Sequence, residues 1–191
     1  MVKEERHEHA GHSSAEGIDL AKVLSEAGVR EGMTVLDLGC GKGDYSIGAA
    51  SIVGSEGMIY AMDSDHDSLM DLADRISDEA LENIMMIQSD MTKGIPLSDH
   101  EADVVLLFNV LHGLVWNGEE DKTLRELKRI IKNGGILSVM EPIPGRKGHG
   151  PPEEVRMSPD RVREVLAPHG FRIVSSSESV PDRELVLLTT L

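Results

Sequence analysis

Hydrophobic residues return along this chain in two rhythms. Short, mainly apolar runs fall at 34–38, 58–62, 84–87, 102–108 and 136–140, and between them apolar positions recur every three or four residues. The first rhythm predicts strands and the second helices packed on one face. Ser13 or Ser14 caps the first predicted helix, which runs to about 27 with Ile18, Leu20, Ala21, Leu24 and Ala27 inward. A second follows Gly43 to about 53, with Ile47, Ala49, Ala50 and Val53 toward a sheet and Gly54 as its stop. The third covers 66–82, with Leu69, Leu72, Ala73, Ile76 and Ala80 inward. The fourth covers 119–132, striped by Leu124, Leu127, Ile130 and Ile131. Asn133, Gly134 and Gly135 form the turn that closes it. A last helix starts at Ser158-Pro159 and buries Val162, Val165 and Leu166. Two final strands, 171–176 and 184–190, meet through Pro181 and Asp182 and pair antiparallel at a sheet edge. Alternation of this kind predicts an α/β protein: a three-layer α/β/α sandwich around a mostly parallel sheet of about seven strands.

The run 102–108 is unbroken after Asp103, as a central parallel strand requires. The segment 141–157 breaks the rhythm. It holds Pro142, Pro144, Pro151 and Pro152 together with Gly145, Gly148 and Gly150. It also gathers Arg146, Lys147, His149 and Arg156. A long loop in a compact domain serves as a hinge, a lid or a substrate loop. Here it reads as a solvated hinge or as a site for an anionic acceptor, with Arg156 pairing its carboxylate or phosphate.

The stretch Val35 to Gly43 reads V-L-D-L-G-C-G-K-G, a strand entering a glycine turn that opens a helix. A dinucleotide fingerprint places its third glycine where this chain has Asp44. A phosphate loop needs Ser or Thr after its lysine, and Gly43 follows Lys42. What remains is D-x-G-x-G-x-G over Asp37, Gly39, Gly41 and Gly43, with Cys40 as a small residue in the turn. Asp63 ends the second strand 24 residues after Gly39, followed by Ser64 and Asp65. A carboxylate at that place accepts two hydrogen bonds from a ribose diol. The competing reading makes it a helix cap, a task open to Ser64 or Asp65. Tyr45 is either helix packing or an edge of the cofactor cleft.

The motif resembles that of the class I S-adenosylmethionine-dependent methyltransferases, in particular the small ones related to ubiquinone and menaquinone biosynthesis. The likeness covers about residues 14–191 and implies a Rossmann-like domain whose cofactor is S-adenosylmethionine. It implies that Asp90 accepts the adenine amine while the Met91 amide serves the ring, and that Asn109, after the fourth strand, meets the methionine portion. His112 and His149 are the candidates for a base if the acceptor must lose a proton. Two other classes stay open: a nicotinamide oxidoreductase, against which Asp44 counts, and a non-catalytic cofactor-binding or assembly subunit.

Composition narrows the partners. The net charge of −15, from 34 acids against 19 bases, argues against nucleic acid or an anionic membrane. A single cysteine excludes an internal disulfide and points to a reducing, cytoplasmic setting. The charged, histidine-rich start resembles no secretory signal, and no apolar run approaches the roughly 20 residues of a membrane helix. Residues 1–13 read as a mobile tail, with a metal clip from His7, His9 and His12, or closure over the cofactor, as the alternatives. Trp116, Tyr45, Tyr60, Phe108 and Phe171 are too few for an aromatic cage, which favours a small or polar acceptor. Either a monomer or a homodimer suits such a chain.

Overall fold

A computed structural model describes residues 18–146, 150–180 and 182–190. Seven strands form one sheet in the order β3-β2-β1-β4-β5-β7-β6. They are β1 (Thr34–Leu38), β2 (Met58–Asp63), β3 (Ile84–Gln88), β4 (Ala102–Phe108), β5 (Ile131–Pro142), β6 (Phe171–Val180) and β7 (Arg183–Thr190). The first five run parallel, and β7 lies antiparallel between β5 and β6. The sandwich expected from the sequence is the fold observed.

Side chains alternate across the sheet and fill a core on each face. Leu36, Leu38, Val105 and Leu107 pack with helices α5 (Glu120–Ile130) and α6 (Pro159–Leu166) through Leu124, Leu127, Ile130, Val162 and Leu166. Val35, Ile59, Val104 and Leu106 point the other way, to α1 (Leu20–Glu26) and α2 (Asp44–Val53). Leu69 and Leu72 of α3 (His66–Asp78) complete that second layer against Ile47 and Ala61. Burial on both faces explains why β4 reads as one apolar run. β3 lies at the sheet edge, and Met85 and Met86 there remain 51% and 40% exposed.

Several boundaries move. Helix α1 begins at Leu20, where the Asp19 side chain accepts from the Lys22 amide. Ser13 and Ser14 lie outside the described residues, as do the tail histidines His7, His9 and His12. Helix α3 stops at Asp78, and Ala80, expected inward, is exposed with φ of 50°. A short helix, α4 (Leu111–Asn117), follows β4 where no helix was expected. Its seven residues are too few to establish a period. Strand β5 starts at Ile131, within the expected fourth helix. The register jumps from Ala102↔Ile131 to Val104↔Ile136, so residues 132–135 bulge out beside Asp103. β5 also runs on to Pro142, and a single 3-10 turn at Glu153–Val155 interrupts the long loop.

The glycine turn is fixed by its neighbours. Gly43 caps α2 with φ of 78°, and a Cβ there would lie 2.3 Å from Leu72 Cδ1. A side chain would therefore meet both backbone strain and a collision. Gly43→Ala should destabilise the fold by about 1–2 kcal/mol, a few degrees in melting temperature for a chain of this size. Unchanged thermal unfolding would show that Leu72 yields freely. No described helix is long and apolar enough to cross a membrane.

Candidate active site

Parallel strands share one carboxyl edge, and the candidate residues collect there. Asp37 lies within β1, Asp63 ends β2, Asp90 follows β3, Asn109 follows β4 and Glu141 lies in the end of β5. Brought together by topology, they span a chain distance of over a hundred residues. A Cβ on Gly39 would strike Val110 Cγ2 at 2.5 Å and approach Met91 Cε at 3.6 Å. The glycine turn thus touches both the β3 and β4 exits. At Gly41 nothing stands within 4 Å of where a Cβ would be, so that side of the turn is open.

The turn directs its amides inward. Gly39 and Cys40 both donate to the Met62 carbonyl, at 2.8 and 3.1 Å. Gly41 donates to Asp63 Oδ2 at 2.8 Å. Three consecutive N–H groups are spent on β2 and its terminal acid, and a phosphate would find none of them aimed at it. Asp63 Oδ1 accepts from the Asp65 amide at 2.9 Å, which ties the turn to the start of α3. Asp65 caps that helix through the Ser68 amide, so the capping task falls to it and leaves Asp63 at the turn. Ser64, between them, is exposed. Arg75 of α3 completes the brace, donating to the Lys42 carbonyl and to Asp44, each at 2.8 Å.

Carboxylates surround this turn in different states. Asp37 is 2% exposed and accepts from Ser46 Oγ of α2 at 2.6 Å. Burial pushes its carboxyl up to about 7, against the lowering effect of the Ser46 hydrogen bond, while Asp63 and Asp44 add repulsion. Asp90 goes the other way. Its Oδ1 accepts from the Thr92 hydroxyl at 2.6 Å and amide at 2.9 Å, and these bonds hold it below the usual carboxylate range. Ionised, it is the acceptor that an adenine amine requires.

Burial, then the charges of Asp37 and Asp63, push the Cys40 thiol far up. It stays protonated and is no nucleophile. Native Cys40 should resist iodoacetamide at about pH 8 and react once the chain is unfolded. Rapid labelling of the native protein would contradict this.

Asn109 has φ of 58°, held by its amide donating to Met140 O at 2.7 Å. Its side-chain Oδ1 and Nδ2 are both buried and make no hydrogen bond. A buried amide without partners costs about 1–3 kcal/mol, a cost that a ligand carrying both a donor and an acceptor would relieve if it reached the side chain. The amino and carboxylate groups of a methionine moiety meet that need. Tyr45 packs edge-on against Phe108 with ring centres 4.9 Å apart, inside the α2 core.

Glu141 was not singled out from the sequence. It is 1% exposed and contacts His112, with Oε2 2.6 Å from Nδ1. The available signal was an acid closing an apolar run, the same signal as Asp63. Arg146 pairs with Glu178 at 2.9 Å. Arg156 donates from Nε to the Pro151 carbonyl at 3.1 Å and from Nη1 to the Arg146 carbonyl, with Glu153 at 3.7 Å. Arg156 thus braces the loop internally, and Arg146 ties it to β6. Lys147 and His149 lie outside the described residues.

The layered sheet is that of the S-adenosylmethionine-dependent methyltransferase class. Residues 29–176 match a family model described as a methyltransferase domain, and the chain belongs to that family. A SAM dependent methyltransferase from Aquifex aeolicus superposes with a TM-score of 0.85 at 30% identity, covering 95% of this chain and 94% of that one. A ubiquinone/menaquinone biosynthesis C-methyltransferase UbiE from Laribacter hongkongensis is 36% identical over 119 residues, 62% of this chain and 47% of its own length. A demethylmenaquinone methyltransferase from Staphylococcus aureus is 31% identical over 124 residues, 63% of this chain and 47% of its own. The chain spans about half the length of these two curated relatives.

Proposed function

We propose that this domain transfers a methyl group from S-adenosylmethionine to a small-molecule acceptor by in-line displacement. The observation that carries this reading is the glycine turn with its amides turned inward and carboxylates around it. Such a turn suits a cationic nucleoside and repels a pyrophosphate. Asp63 and Asp90 would hold the ribose and adenine, and Asn109 the methionine end. S-adenosylmethionine supplies an already activated methyl group, so the protein's work is alignment and exclusion of water. Holding two reactants in line is worth on the order of 7 kcal/mol or more in favourable cases. The relatives named as quinone methyltransferases support a small acceptor.

The test is S-adenosylhomocysteine release with a cell extract separated by dialysis. The dialysable fraction should support release together with a methylated product. Release supported only by the macromolecular fraction would overturn the small-molecule reading.

A further inference from the structure

Glu141 is a buried acid at the carboxyl end of β5, and such a carboxylate is costly unless fully paired. Its Oε1 accepts from the amides of Val110 and His112 at 3.1 and 3.3 Å. These belong to the start of α4, which has no side-chain cap of its own. Those two bonds already account for a structural role in capping. The third contact, from Oε2 to His112 Nδ1 at 2.6 Å, is additional. A carboxylate only accepts, so Nδ1 donates to Glu141 and Nε2 is the ring nitrogen left for another partner.

The pair stands beside the methyl donor's expected seat. His112 lies three residues beyond Asn109, and Val110 between them touches the Gly39 position. The His112 side chain keeps 15% of its surface exposed, against 2% for Glu141. Other charged groups on elements packed against α4 are Glu153 and Glu154 of the 3-10 turn, Glu120, Asp121, Lys122, Arg125, Glu126, Lys128 and Arg129 of α5, and Lys132 of β5. Among the described residues, Glu141 alone makes an ion-pair contact with the ring.

We propose that His112, oriented by Glu141, is the proton acceptor for a methyl acceptor bearing an ionisable hydroxyl. This rests on the methyl-transfer reading above. A neutral hydroxyl is a poor nucleophile, whereas a tertiary amine or thioether has no proton to lose and would not need the pair. As the acceptor's O–H proton moves to Nε2, its electron pair becomes available at oxygen or a conjugated carbon. That atom forms the new bond to the methyl carbon, the carbon–sulfur bond breaks, and its electrons stay on sulfur in S-adenosylhomocysteine. If carbon is methylated, its own proton leaves to solvent and the hydroxyl is restored from the imidazolium. The net release is one proton. Glu141 is a positioning residue that stabilises the transient imidazolium.

The experiment uses the full chain with methyl-labelled S-adenosylmethionine and two probes, 1,4-naphthohydroquinone kept reduced and N,N-dimethylaniline, which has no ionisable proton. Label should enter the hydroquinone. His112→Gln should lower kcat by about 100-fold or more, the usual worth of such a group. It should also abolish the acid limb of the pH profile and leave the calorimetric dissociation constant for S-adenosylmethionine unchanged. Glu141→Gln keeps a carbonyl for the two α4 amides, so it should unfold near the wild-type temperature yet lose kcat with little change in KM. Nitrogen NMR should show His112 protonated at Nδ1 and bare at Nε2.

Wild-type turnover in both variants, label entering only dimethylaniline, no transfer to the hydroquinone by protein that binds the donor, or the opposite tautomer would each overturn the proposal. Failure of the wild type to bind the donor at all would instead overturn the methyl-transfer reading, and this proposal with it.

Discussion

Asp63→Ala should weaken S-adenosylmethionine binding by about 1–3 kcal/mol, about 5- to 150-fold in dissociation constant. The loss has two sources. The carboxylate is the expected partner of the ribose diol, and it is already the partner of the Gly41 and Asp65 amides. Alanine leaves both amides without an acceptor and frees the turn to move, so the melting temperature should fall as well. Asp63→Asn separates the two effects. Its side-chain oxygen can still accept from Gly41, so the fold should be largely kept while the negative charge offered to the ribose diol is lost. Calorimetry showing wild-type affinity in Asp63→Ala would remove this residue from the site.

Asp37 should make stability fall as pH rises. Its folded-state value, about 7, stands above the ordinary 3.8. The neutral form is therefore the one the fold favours, and its contribution is fully present below about pH 3.8 and lost as pH passes through about 7. The gap corresponds to on the order of 4 kcal/mol, with burial the main cause. Asp37→Asn holds the group neutral and can still accept from Ser46. Denaturant melts should show it close to wild type at about pH 4 and more stable by a large part of that amount at about pH 8. Equal pH dependence in the two proteins would contradict the assignment. A cation bound nearby should relieve the same cost. Affinity for S-adenosylmethionine should thus rise with pH more than affinity for S-adenosylhomocysteine, which lacks the sulfonium charge.

Sequence reading was strongest where one period ran long enough to exclude the other. β4 and α5 are such cases: an unbroken apolar run and a stripe of Leu124, Leu127 and Ile130. It was weaker where tertiary contacts decide. Helix α4 is seven residues long and owes its first turn to Glu141, 31 positions beyond Val110. The bulge after Ile131 likewise depends on pairing with β4, which local glycines do not specify.

At the site, residue types were legible and their partners were not. Asp63 stood out by its place after a strand. That it ties down the Gly41 amide, beside those of Gly39 and Cys40 on the Met62 carbonyl, depends on where β2 lies beside β1. Glu141 follows the same pattern as Asp63, but Pro142 and Pro144 directly after it mark the segment as a loop. Asp103 shows why an acid near a strand is not enough. It lies near the opposite, amino end of β4 and serves structure, accepting from the Thr34 amide and Lys132, each at 2.8 Å.

Titration calorimetry with S-adenosylmethionine and NAD in parallel is the most direct test of the site's chemistry. A turn whose amides are already bonded and whose neighbours are acids should take up one equivalent of the cationic nucleoside and give no heat with the pyrophosphate. Saturable heat from NAD, or none from S-adenosylmethionine, would contradict it.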